Sequence, residues 1–125
     1  MAAPQLDILV VDDHIESAFM VSEVLRRAGH RVRTAIGGNE AIRAAATLAP
    51  DVILMDINLP DLGGLEATKR IKTLNPQVRV IGISGMQVPA PIQGDMVVFE
   101  ERLHKPIRPE ELLAVLDRLF EPRPG

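Results

Sequence analysis

Val52-Ile53-Leu54-Met55-Asp56-Ile57-Asn58-Leu59-Pro60-Asp61-Leu62-Gly63-Gly64 is a short apolar run that ends on a carboxylate and passes directly into turn chemistry. A run of this length, bounded by polar and turn residues, reads as a strand buried on both faces, the habit of parallel sheets. Parallel strands bring their carboxyl ends to one edge of the sheet, where open α/β folds hold ligands. Asp56 therefore stands at a sheet edge, and the turn that follows directs its carboxylate into a crevice.

The same pattern recurs on both sides. Ile8-Leu9-Val10-Val11 ends on Asp12 and Asp13, Val80-Ile81-Gly82-Ile83 on Ser84, and Leu103-His104 on Lys105, while His30 to Ala35 reads as a further strand with Arg31 and Arg33 on one side. Helical spacing fills the intervals. Ile15, Ala18, Phe19, Val21, Leu25 and Ala28 mark one apolar stripe, closed by Gly29; Ala41, Ile42, Ala45 and Leu48 mark another, opened by Gly37-Gly38-Asn39 and ended by Pro50. A third helix is expected from about Leu65 to Leu74, stopped by Asn75-Pro76. Arg108-Pro109-Glu110-Glu111 is a helix start, with Leu112, Leu113, Val115, Leu116, Leu119 and Phe120 as its buried face. The alternation predicts an α/β fold of five parallel strands with helices on both faces, joined by right-handed crossovers.

Composition bounds the function. The 125 residues suit one domain, and 46% hydrophobic residues supply its core. Phe19, Phe99 and Phe120 are the only aromatic residues, so no Tyr or Trp is present to stack on a base or a flavin. A formal net charge of −3 without a basic run argues against nucleic-acid binding by this domain. The absence of Cys removes thiolate metal sites and thiol chemistry. No leader-like or membrane-spanning segment is legible, and the expected location is cytoplasmic.

Three carboxylates, a hydroxyl and an ammonium meeting at one sheet edge form a kit for phosphoryl transfer to a carboxylate. Singly, each is bland: an Asp pair after a strand can simply cap a helix, Ser84-Gly85 can be a turn, and Lys105-Pro106 surface punctuation. Jointly, members of one chemical set close four separate strands. Crowded carboxylates call for a neutralising cation, and hard Mg²⁺ with oxygen ligands is the natural one.

The set Asp12-Asp13, Asp56, Ser84 and Lys105-Pro106 resembles the receiver domain of two-component response regulators, and the segment from Leu54 to Ala67 is especially close to that family's phosphoacceptor signature. The resemblance implies a doubly wound, flavodoxin-like sheet of strand order 2-1-3-4-5, with residues 1–121 as the receiver domain and 122–125 as a tail or the start of a linker. It implies that Asp56 accepts phosphate from a histidine kinase or histidine phosphotransfer protein and signals to a downstream output protein or domain. Asp13, Asp56 and the Asn58 carbonyl would hold Mg²⁺, with Asp12 acting partly through water. Ser84 and Lys105 would bond the phosphoryl group. A receiver is a switch and not an enzyme, beyond its own phosphorylation and dephosphorylation, binds no membrane, and could form a homodimer through its fourth helix, fifth strand and fifth helix.

Two places depart from the family pattern. Arg102 stands three residues before Lys105, where receivers usually carry Phe or Tyr that swings inward when the hydroxyl moves; the change is then expected after Ser84 and along 89–99. Pro89, Pro91 and Gly94 predict an irregular or shortened fourth helix. In Met96-Val97-Val98-Phe99, core packing is expected of Val97 and Val98 rather than Phe99. Met86, two after Ser84, is expected to border the attacking water and, being apolar, to slow loss of phosphate. His14 reads as a solvated first-turn residue, and His30 and His104 have no ligand-like spacing with it. A Mg²⁺-dependent phosphohydrolase, a flavin carrier and a receiver that works without phosphate are the competing readings. The first lacks Asp-x-Asp on the opening strand, the second a Ser/Thr-rich phosphate loop, and the third would have lost an acidic or lysine position.

Overall fold

The computed structural model describes residues 5–85 and 98–120. Within them the strands are β1 (Asp7–Val11), β2 (Arg31–Ala35), β3 (Val52–Asp56), β4 (Arg79–Ser84) and β5 (Glu101–His104). The helices are α1 (Ile15–Arg27), α2 (Gly38–Leu48), α3 (Gly64–Leu74) and, after β5, α4 (Pro109–Phe120). All strand pairings are parallel, in the order β2-β1-β3-β4-β5, so the expected doubly wound sheet is present. The irregular fourth helix and Met86 fall in 86–97 and the tail boundary in 121–125, outside the described residues.

Strand alternation explains why the central runs are apolar throughout. Ile8, Val10, Val52, Leu54, Ile81 and Ile83 face α1 and α4, in one core with Leu25, Leu112, Val115 and Leu116. Leu9, Val11, Ile53, Met55 and Val80 face α2 and α3, in a second core with Ala41, Ala45, Ala67 and Ile71. A strand that must be apolar on both faces has no polar register to choose, which is what its sequence shows. β2, at the sheet edge, alternates instead: Val32 is buried while Arg31 and Arg33 are exposed.

Two expectations are corrected. Ile15 and Phe19 belong to the apolar stripe by spacing, yet they are 76% and 61% exposed; the buried face of α1 runs through Ala18, Ser22 and Leu25. A helix can cover only the arc that touches the sheet, and this stripe is wider than that arc. α2 stops where Pro50 predicts, running Gly38–Leu48 with Ala49 as a left-handed cap (φ 46°) directly before the proline. Of the two described members of its run, Phe99 and not Val98 is buried, Val97 lying outside the described residues: the Phe99 ring packs over Gly82, where a Cβ would meet ring atoms at 3.0–3.2 Å. His30 has a structural role, its Nδ1 accepting the Leu6 backbone N–H at 3.1 Å, and burial lowers its pKa against the opposing pull of Asp117.

The turn after β3 is closed by glycine. Gly64 donates its N–H to the Ile57 carbonyl at 3.0 Å, and a Cβ at Gly64 would run into the Asp56 carbonyl oxygen and lie 2.8 Å from Ile57 Cα. These are backbone atoms of the strand end itself and cannot rotate aside. Gly64→Ala is therefore expected to lower stability by about 1–3 kcal/mol or more, read as a lower denaturant midpoint. An unchanged midpoint would mean that the turn can open without cost.

Candidate functional site

β1 delivers Asp12 and Asp13, β3 delivers Asp56, β4 delivers Ser84 and β5 leads into Lys105, all at the carboxyl edge of the sheet. Register keeps them level: Val11 pairs with Met55, Asp56 with Ile83, and Ser84 with His104. Asp12, Asp56 and Ser84 are buried, at 5%, 4% and 0% exposure, in surroundings that raise the cost of any uncompensated charge.

Lys105 supplies the compensation. Its Nζ lies 3.1 Å from Asp12 Oδ2 and 3.2 Å from Asp56 Oδ2, bridging the two buried carboxylates. Burial alone would lower the lysine pKa, but the hydrogen bonds and charges of Asp12 and Asp56 outweigh it and hold the ammonium above its ordinary range. The other carboxylate oxygens are met by backbone: Asn58 N–H donates to Asp56 Oδ1 at 2.8 Å and His14 N–H to Asp12 Oδ1 at 2.9 Å. The Lys105–Pro106 peptide bond is cis.

One oxygen is left over. Asp13 Oδ1 is buried and has no hydrogen-bond partner among the described residues, although exposed His14 has Nδ1 3.3 Å away in poor alignment. Ligand atoms of Asp12, Asp13, His14 and Asp56 all lie within 4.8 Å of one another. An orphaned oxygen amid a carboxylate cluster is the donor set a hard divalent cation takes, so the residues fit Mg²⁺. Asn58, exposed, follows Asp56 by two residues with its N–H already committed to that carboxylate.

Ser84 is close to this network without joining it. Its Oγ shares a 3.0 Å hydrogen bond with His104 Nδ1, and its carbonyl accepts the Lys105 N–H at 2.8 Å. Sequence reasoning gave His104 no role. β-pairing of Ser84 with His104 is the signal that could have found it, once the register is known. Arg102, paired with Gly82 on the same face, is half-buried, and its Nε has no partner among the described residues.

Asp61 was also missed. From the loop between β3 and α3, it accepts hydrogen bonds from the N–H groups of Gly38 at 2.9 Å and Asn39 at 3.1 Å and from the Asn39 side chain. It thereby caps α2, which has no side-chain cap at its own Gly37, and ties the loop bearing Asn58 to a second helix.

Apolar surface flanks the crevice. A cavity of about 350 Å³ beside Asp12 and Lys105 is lined by Met20, Val21, Pro106 and Ile107, and exposed Ile15, Phe19 and Ile36 lie on the other side of Asp12. Among the described residues no helix is long and apolar enough to cross a membrane.

Comparison with known proteins agrees with this geometry. The family model for the response regulator receiver domain matches residues 8–117. The chain is 29% identical to the chemotaxis protein CheY of Thermotoga maritima, covering 90% of this chain and 95% of that protein. It is 32% identical to the transcriptional regulatory protein PrrA of Mycobacterium tuberculosis over 93% of its length, and spans only 50% of PrrA. Among solved structures, chemotaxis protein CheY4 of Vibrio cholerae superposes with a TM-score of 0.84 at 31% identity, covering 92% of this chain and 98% of that one. The BeF3-activated receiver domain of DrrB superposes at 0.83 with 30% identity, over 95% and 100%.

The Asp61 cap sets an acid limit. Backbone N–H donors, Asn39 first and then Gly38 and Leu62, hold the Asp61 pKa down to about 2 from 3.8. A depressed carboxylate stabilises the fold above its unfolded pKa and loses that contribution as the pH falls through the folded value. Asp61→Asn should therefore be less stable than the parent at pH 7, with the difference closing between pH ~4 and ~2. Thermal melts of the two proteins across that range measure it, and a constant difference would contradict the assignment.

Proposed function

The chain belongs to the response regulator receiver domain family of two-component systems, whose role is to accept a phosphoryl group, and we propose that Asp56 is the acceptor here. The observation that carries this is the buried Asp56 carboxylate held by Lys105 Nζ at 3.2 Å, beside Asp12, Asp13 and Ser84 at one sheet edge. A carboxylate oxygen of Asp56 attacks the donor phosphorus, a phosphorus–oxygen bond forms, and the phosphorus–nitrogen bond of a phosphohistidine breaks, the imidazole taking a proton as it leaves. Asn58 N–H fixes the carboxylate plane for that attack.

Asp12, Asp13, Asp56 and the Asn58 carbonyl are the residues that would hold Mg²⁺. When bound, the ion withdraws charge from phosphoryl oxygens, the main aid to a loose transition state. Lys105 is already poised at Asp56 and can turn from the free carboxylate to a phosphoryl oxygen, while the Ser84 hydroxyl is a second donor within the same edge. On this reading the domain is a switch and not a turnover enzyme.

The apolar surface around the crevice supports a protein donor, a histidine kinase or histidine phosphotransfer protein, whose contact would shield the reaction from water. The match over 8–117 supports taking 1–121 as the receiver domain, acting in the cytoplasm on an output protein or an output region beyond it.

With acetyl phosphate and Mg²⁺, the chain is expected to gain one phosphoryl group, located at Asp56 by borohydride trapping and mass spectrometry. Asp56→Asn should abolish the label; a label that persists elsewhere would move the acceptor. Lys105→Met leaves Asp12 and Asp56 facing each other without a bridge, so Mg²⁺ should raise its melting temperature more than that of the parent chain. Equal shifts would mean that the lysine does not share charge with the metal cluster.

A further inference from the structure

We propose that His104 is a positioning residue that latches the Ser84 hydroxyl in the resting domain, and that phosphoryl binding at Asp56 breaks this latch and carries the signal into β5. The inference rests on the reading of Asp56 as phosphoacceptor and deepens it.

Ser84 Oγ has no exposure, and its hydrogen bond to His104 Nδ1, at 3.0 Å, is the only side-chain partner it has among the described residues. A hydroxyl has one proton to donate. In the imidazole tautomer protonated on Nε2, Nδ1 accepts that proton, and the hydroxyl cannot donate to a phosphoryl oxygen at the same time. A phosphoryl group on Asp56 brings charged acceptors to the same edge, and a hydrogen bond to a charged acceptor is the stronger one. The bond to His104 is therefore the one surrendered.

The consequence falls on an edge strand. His104 is exposed at the end of β5, a strand of only Glu101–His104 that, among the described residues, is hydrogen-bonded to β4 alone. Release of the ring frees the side chain that precedes Lys105 in sequence, while the main-chain bond from Lys105 N–H to Ser84 carbonyl keeps the two strand ends coupled. An aromatic side chain at 102 is not available for the task, since Arg102 stands there, and the nearby ring of Phe99 is already packed on Gly82.

The test uses the full chain with beryllofluoride and Mg²⁺ as the phosphoryl mimic. Fluorine NMR reports whether the mimic is bound, and nitrogen NMR of labelled histidine reports the His104 ring. Binding should move the His104 Nδ1 signal from its hydrogen-bonded position to the one that Ser84→Ala shows without any mimic. His104→Ala removes a bond that stabilises the resting state only, so it should bind the mimic about two- to tenfold more tightly. His104→Asn, whose Oδ1 can take the place of Nδ1, should return the affinity toward the parent value. A bound-fluoride signal with an unmoved ring, or unchanged affinity in His104→Ala, would overturn the latch alone. Absence of any bound-fluoride signal would overturn Asp56 as the acceptor and the latch with it.

Discussion

The ammonium of Lys105, shared between the carboxylates of Asp12 and Asp56, is the contact on which the site depends. The two acids come from neighbouring central strands and reach the same point, because parallel strands end together. Like charges about 5 Å apart at an effective dielectric of ~20 repel by about 3 kcal/mol, a large fraction of a domain's net stability. A single cation placed between them turns that repulsion into attraction. The lysine reaches this position because β5 pairs with β4 in a register that sets Ser84 beside His104, one residue before Lys105. The pairing of β5 with β4 at the sheet edge thus decides whether the crevice can exist.

The same arrangement makes the site responsive. Asp13 Oδ1 is buried without a partner among the described residues, so the resting network stops one interaction short of closure. Added positive charge can complete it, and added negative charge on Asp56 must reorganise it, because Lys105 cannot hold both carboxylates and a new anion in the same geometry. Stability and switching draw on the same few contacts. The backbone around them is held independently by the Gly64 turn and by Asp61, which caps α2 from the loop between β3 and α3.

Much of this was legible in the sequence because the relevant signals are local. Runs such as Val52–Met55 are apolar on both faces and end directly on a buried carboxylate, so strand and candidate site are written in adjacent letters. What escaped reading depends on contacts between distant positions. Asp61 caps a helix that begins 23 residues earlier, and nothing in Pro60-Asp61 names that partner. His104 meets Ser84 across 20 residues, visible only through register. The helical stripe of α1 was read correctly as a period but not as a buried arc, since spacing places Ile15 and Phe19 with Ala18 and Leu25 whereas packing separates them.

Phe99 and the missing Cβ of Gly82 fix the packing beside Ser84. Gly82 lacks a Cβ, and the Phe99 ring occupies that space against β4, two residues before Ser84. Any larger residue at 82 would displace the ring, and the half-buried Arg102 paired opposite Gly82 has its Nε buried without a partner among the described residues. A guanidinium there cannot move into an apolar pocket without losing its hydration, as a neutral ring could. On the proposed reading, movement started at Ser84 meets a filled space over Gly82 and is left the end of β5. If Asp56 is the acceptor, the chemistry of three side chains, Phe99, Arg102 and His104, sets the direction in which a change there leaves the site.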